Sequence, residues 1–201
     1  MNTLDHIRRG LDQRTPLLQK EGHNASVAAI IRPDNDDTQL LFIERARVDG
    51  DPWSGDIAFP GGRIEESDPT LRATAERETH EEIGLHLQGA NYVGRLDDLQ
   101  GSSLPVQVAA FVYFVENDVE LDLNAEVHRA FWQSLHTLCD PNRHCQHLSR
   151  MSGEVRPMPA IDLLGPEHPL LWGITYRFTA QLTALLGNPL PAKAPVEGST
   201  T

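Results

Sequence analysis

The sequence predicts an α/β (α+β) domain in which one mixed β-sheet is covered by helices. Three observations lead there. Several short apolar runs have the length and composition of strands. Other segments carry apolar residues at helical spacing. The two kinds alternate along the chain, and no internal repeat points to a solenoid or propeller. The 201 residues fit one such domain with modest extensions.

Residues 4–20 place Leu4, Ile7, Leu11 and Leu17-Leu18 among charged residues. This spacing predicts an amphipathic helix reaching at least to Pro16. Ser26 to Ile31 reads as a buried strand and Gln39 to Glu44 as a second. The turn-rich Pro33 to Asp37 between them predicts a hairpin. Gly50 to Gly62 is rich in Gly, Pro and aromatic residues and reads as a loop that comes close to a ligand or another backbone. A helix is predicted next, with Asp68 as N-cap, Pro69 at its first position and Gly84 as its left-handed stop. Leu71, Ala75, Thr79 and Ile83 form its inward stripe. Val106 to Val115 reads as a central strand. Glu126 to Leu138 reads as a short strand followed by a helix, and residues 140–168 as loop. Trp172 to Leu186 has helical spacing. The expected organisation is an N-terminal helical extension over 1–22, a domain over 23–187 and a disordered tail over 188–201.

The net charge of −12 argues against a general nucleic-acid binder, which needs a basic footprint. It is compatible with a small phosphorylated ligand whose charge is met by a bound metal. No apolar stretch is long enough to span a bilayer, and the N-terminus lacks the layout of a secretory signal, so a cytoplasmic location is expected. Cys139 and Cys145 have His144 and His147 nearby, but two cysteines at this spacing read best as free thiols in a reducing compartment.

Chemistry concentrates between residues 59 and 84. Glu78, Glu81 and Glu82 are three and four apart, so a helix brings them to one face. Like charges at that spacing repel, and Glu82 falls near the inward stripe, where an unpaired carboxylate is costly. A divalent cation removes both problems, and magnesium suits carboxylate oxygens. A solvated acidic face also fits the glutamates alone, with Arg72–Glu76 and Arg77–Glu81 as bridges. The preceding Phe59-Pro60-Gly61-Gly62 favours the metal, because paired glycines admit a close approach of backbone to an ion or phosphate.

The stretch from Gly62 to Leu85, with Arg77-Glu78-Thr79-His80-Glu81-Glu82-Ile83-Gly84-Leu85 at its end, resembles the signature of the Nudix hydrolase family. Its upstream acidic position is Asp68, its spacer to Arg77 is one residue longer than standard, and Thr79 replaces a larger apolar residue. The longer spacer recurs in the coenzyme A pyrophosphatase-like branch. Leu40-Leu41-Phe42-Ile43-Glu44-Arg45, the run Gly55 to Gly62, and Leu171-Trp172-Gly173-Ile174-Thr175 also resemble segments of that branch. Together they cover most of residues 26–187. The branch has a histidine where this chain has Trp53.

The resemblance implies a Nudix-type mixed sheet sandwiched between helices and a pyrophosphohydrolase. It implies that Glu78, Glu81, Glu82 and the Gly61 carbonyl hold magnesium or manganese. Arg77 is expected to orient the glutamates, and one of Glu81, Glu82 and Glu126 to take the proton. Arg45 and Arg47 are candidates for phosphate contacts, and Trp53 and Phe59 for stacking on a base. The implied partner is a small nucleotide-like diphosphate, with coenzyme A or a derivative leading. ADP-ribose, dinucleotides and nucleoside triphosphates are alternatives, as is a catalytically silent ligand-binding protein. A homodimer is compatible with the sequence; nucleic acid and membrane are not expected partners.

Overall fold

The apolar runs pair into one large mixed sheet with helices on both faces. The computed structural model describes residues 3–19, 22–34, 37–50, 53–89, 91–101, 106–116, 119–151 and 154–191. In chain order the elements are α1 (Thr3–Asp12), β1 (His23–Asp34), β2 (Asp37–Arg45), β3 (Ile57–Ala58), β4 (Gly61–Arg63), α2 (Leu71–Ile83), β5 (Asn91–Arg95) and β6 (Leu99–Gln100). They continue with β7 (Gln107–Phe114), β8 (Val127–Ser134), α3 (Leu135–Cys139), β9 (His144–Met151), β10 (Glu154–Ile161), β11 (Leu171–Trp172) and α4 (Gly173–Leu185).

The main path of the sheet runs β3-β2-β1-β7-β5. β1 and β2 form the expected antiparallel hairpin, and β7 runs parallel to β1 at the centre. β8 lies on β2, and β4 pairs with the start of β1. Period-two alternation explains the layers. Ala29, Ile31, Phe42, Ala110 and Val112 pack with Ile7, Leu11, Phe178 and Leu182 on the face covered by α1 and α4. Ala28, Ile30, Ile43, Ala109 and Phe111 pack with Ala75 and Ile83 of α2 on the other. Residues 28–31 are buried on both sides of the sheet, which is why that run is continuously apolar.

Four expectations change. First, α1 stops at Asp12 instead of reaching Pro16. Proline disfavours helix at the residue before it, and Leu17 is held elsewhere. Its N–H donates to the Asp97 carboxylate at 2.7 Å, and its carbonyl accepts from the Asp98 N–H at 3.0 Å. Second, Thr70 rather than Asp68 caps α2, accepting the Ala73 N–H at 3.1 Å. The Asp68 carboxylate is engaged by other groups. Pro69, expected at the first helical position, therefore lies before the cap, because α2 begins at Leu71. The inward stripe and the stop are as expected: Ala75, Thr79 and Ile83 are buried, and Gly84 is left-handed with its N–H donating to the His80 carbonyl.

Third, residues 140–168 contain a long hairpin, β9–β10, extended by β11. The prolines that suggested loop are accommodated at its rim. Pro157 and Pro159 are two apart, so both missing N–H groups fall on one side of β10. The ladder with β9 is unbroken over residues 154–161. The proline side is therefore the outer edge, where β11 reaches only Ala160 and Ile161. Fourth, the start of the expected tail is placed: the Asn188 N–H donates to the Thr183 carbonyl at 2.9 Å, and Leu190 packs on the core. Residues 192–201 lie outside the described residues. Among the described residues no helix is long and apolar enough to cross a membrane.

Candidate active site

Two glycines let the loop before α2 press against both β1 and the helix. Gly61 sits at φ +145°, and a Cβ there would lie 2.3 Å from the Ser26 carbonyl oxygen and 2.5 Å from Val27 Cα. A Cβ on Gly62 would lie 2.4 Å from a Glu78 carboxylate oxygen. The close packing turns the Gly61 N–H toward α2, where it donates to Glu82 Oε2 at 2.8 Å.

Glu82 is 2% exposed, with Arg45 Nη1 at 3.7 Å from Oε1. Burial pushes its pKa up to about 8, opposed by the Gly61 N–H and Arg45 and reinforced by the charges of Glu78 and Glu126. Burial also raises Glu78, opposed by Arg77. Arg77 is the hub of the face. Its Nη1 donates to Glu78 at 3.0 Å and to Glu81 at 2.9 Å. Its Nε and Nη2 donate to the two oxygens of Asp68, each at 2.9 Å. This bidentate grip holds Asp68 well below the usual carboxylate range. Asp68 also accepts from the Thr74 hydroxyl and the Glu65 N–H.

Asp68 therefore anchors the arginine that spaces the glutamates. Asp68→Ala is expected to lower kcat about tenfold or more, with KM changed less and with Asp68→Glu recovering part of the loss. Steady-state kinetics beside thermal melts check this; an unchanged kcat would show that Arg77 holds its position unaided.

Glu126 reaches the same place from another direction. The Asp122 and Asn124 N–H groups donate to the last carbonyls of α2, those of Ile83 and Glu82, at 2.9 and 3.0 Å. The Asn124 side chain accepts the Glu126 N–H at 2.8 Å, and the Glu126 carbonyl accepts the Ala46 N–H at 2.7 Å. The loop thus caps α2 and fixes Glu126 beside it.

Glu78, Glu81, Glu82 and Glu126 line a cavity of about 570 Å³, together with Gly61, Arg45 and Arg77. Val106, Val108, Met158, Trp172 and Ile174 line the same cavity. Trp53 lines the cavity, with the Arg63 guanidinium 5.9 Å from its ring centre. Two expected contacts fall away. Phe59 borders the cavity, but its ring is 1% exposed and stacked on Phe42 at 5.2 Å, so it offers no open face to a base. Arg47 is exposed beside Gly55 and is not part of the cavity wall. Asp56, Arg63, Asn124 and Trp172 join the site without having been singled out in the sequence as site residues.

The donor set suits a hard divalent cation: all oxygen, convergent, and carrying more negative charge than Arg45 and Arg77 offset. As they stand, Glu78 and Glu81 are drawn to Arg77 while Glu82 is held by Gly61 and Arg45, and no three acidic, His or Cys side chains among the described residues already surround an ion position. Cys139 and Cys145 are free thiols. His144 bonds the Leu138 carbonyl at 2.9 Å, and His147 stacks on Trp172.

The NUDIX domain family matches residues 22–152, more than half of the chain. The chain belongs to the Nudix family. An uncharacterized Nudix hydrolase, NudL, from Salmonella paratyphi B is 28% identical over 189 residues, covering 92% of this chain and 95% of that protein. The uncharacterized protein C14C4.10c of Schizosaccharomyces pombe is 36% identical over 115 residues, covering 53% of this chain and 34% of that protein. The chain thus spans about a third of the yeast relative and nearly all of the bacterial one. In fold it is similar to a MutT/nudix family protein from Enterococcus faecalis, with a TM-score of 0.51, 16% identity, and coverage of 93% of this chain and 75% of that one. Nudix membership makes the chain a pyrophosphohydrolase by class, as the signature implied. The matched Nudix span stops before β10, so Met158, Trp172 and Ile174 add a cavity wall from outside it.

Proposed function

We propose that this Nudix protein uses magnesium or manganese to hydrolyse the diphosphate bond of a nucleoside diphosphate joined to another small group, with coenzyme A or a derivative as the leading substrate. One observation carries the reading: four glutamates, Gly61 and Arg45 line one cavity together with the apolar side chains of Val106, Val108, Met158 and Ile174. The carboxylates suit a metal–diphosphate, and the apolar side chains suit the groups it joins. The coenzyme A preference rests on the resemblance of segments 40–45, 55–62 and 171–175.

Glu78, Glu81, Glu82 and the Gly61 carbonyl would hold the ion. When bound, it neutralises diphosphate charge and acidifies a coordinated water. Arg77 spaces Glu78 and Glu81, and Arg45 stands where it can meet a phosphate oxygen. Glu126 is the preferred proton acceptor over Glu81 and Glu82. Glu81 is tied to Arg77 and Glu82 is buried. The Glu126 carboxylate is exposed and lines the cavity.

The test is turnover of coenzyme A, acyl-coenzyme A, ADP-ribose, dinucleotides and nucleoside triphosphates with magnesium, read by mass spectrometry. Coenzyme A is expected to yield phosphopantetheine and adenosine bisphosphate, and Glu126→Gln to lower kcat about 10²- to 10⁴-fold. Cleavage of another compound in the panel would keep the chemistry and overturn the coenzyme A assignment. Tight binding without turnover of any compound would identify a silent ligand-binding protein.

A further inference from the structure

One indole of the cavity wall is fixed by two other side chains. Trp172 is held at its edge, where Nε1–H donates to Asp56 Oδ1 at 3.1 Å across 116 residues of sequence. One of its faces is covered by the His147 ring, 4.2 Å away centre to centre and inclined by 29°. The register explains the stack. Trp172 pairs with Ala160, and His147 pairs with Met158 two residues along β10, so all four lie on one face of the small sheet. Ala160 is small enough to let the two rings meet over it. With its edge and one face engaged, the half-buried indole still lines the cavity. Met158 and Ile174 line the cavity with it.

Asp56 also ties this indole to the acidic cluster. Its carbonyl accepts the Arg45 N–H at 3.0 Å, and Arg45 reaches Glu82. Trp53, the other indole in the cavity, is linked to the acidic cluster by a different route. It sits under Arg63, whose carbonyl is bound by Arg77.

We propose that Trp172 is the platform on which the base of the substrate stacks, with Asp56 and His147 as the residues that position it. A fixed, one-sided aromatic surface among apolar side chains fits a flat heteroaromatic ring. The assignment rests on the reading of the substrate as a nucleotide, but its test needs no turnover.

The probes are 5′-AMP and ribose 5-phosphate, which share a phosphate and differ by the base. Calorimetry with magnesium is expected to show wild-type protein holding AMP about tenfold more tightly, the range of base–aromatic stacking. Trp172→Ala erases that ratio, Trp172→Phe keeps most of it, and Trp53→Ala preserves it. A Trp53→Phe/Trp132→Phe protein leaves Trp172 as the sole indole of the three, and its emission should be quenched by AMP and not by ribose 5-phosphate. This second measurement stands even if Trp172→Ala does not fold. An unchanged ratio in Trp172→Ala, a ratio lost in Trp53→Ala, no ratio in wild type, or no quenching would each overturn the platform. Loss of the hydrolase reading would be seen only in the turnover panel, with these binding differences intact.

Discussion

Glu82→Gln is expected to make the metal-free protein more stable at pH 8 while removing hydrolysis. Glu82 is 2% exposed, and burial lifts its pKa from 4.5 to about 8. Below pH 4.5 both folded and unfolded chains keep the proton, so no penalty arises. Between about pH 4.5 and 8 the unfolded chain ionises first, and the folded state loses stability as pH rises. Glutamine keeps an oxygen to accept the Gly61 N–H but cannot ionise. In chelator, the wild-type melting temperature should therefore fall between pH 5 and 9, while that of Glu82→Gln stays nearly level. For a chain of this size each kcal/mol corresponds to about 2–4 °C. Magnesium should restore the wild type at pH 8 and leave the variant unchanged. Activity should drop on the order of 10³-fold. Parallel pH profiles for the two proteins would show that the buried carboxylate costs no stability.

Gly61→Ala and Gly62→Ala should fail in different ways. The Gly61 Cβ would strike backbone atoms of Ser26 and Val27 at a φ of +145°. Backbone cannot swing aside, so strain and overpacking add to a loss of about 3 kcal/mol. That corresponds to about 6–12 °C in melting temperature. The atoms nearest a Gly62 Cβ all belong to the Glu78 carboxylate, the end of a flexible side chain. Glu78 can move, so stability should change little while activity falls with the lost carboxylate position. Thermal melts and kinetics on both variants check the contrast. Equal destabilisation would mean that β4 and α2 are coupled more rigidly than these contacts imply.

Much of this was legible in the sequence because it was local. β1, β2 and β7 follow from continuous apolar runs, and α2 from its stripe and from Gly84. The glutamate cluster followed from helical spacing within five residues. What was missed depends on partners far along the chain. The bond between Asp56 and Trp172 joins residues that no periodicity relates. Arg47 and Phe59 are reasonable contacts by position, but Arg47 lies outside the cavity wall and the Phe59 ring is taken up by its stack on Phe42. Asp68 looked like a helix cap because capping is local, whereas its bidentate bond to Arg77 becomes visible only after the loop folds back. The β9–β10 hairpin was hidden because proline reads as a breaker unless the edge it occupies is known.

That edge has a consequence for how molecules meet. A neighbouring strand seeking to extend the small sheet would find no N–H at Pro157 or Pro159 and would lose two rungs in succession. That side of β10 is thus a poor template for sheet growth, although Val155 leaves the strand partly greasy at 55% exposure. Replacing both prolines with residues that carry an N–H would reopen the edge, and a concentrated solution of such a variant should be the first to gel.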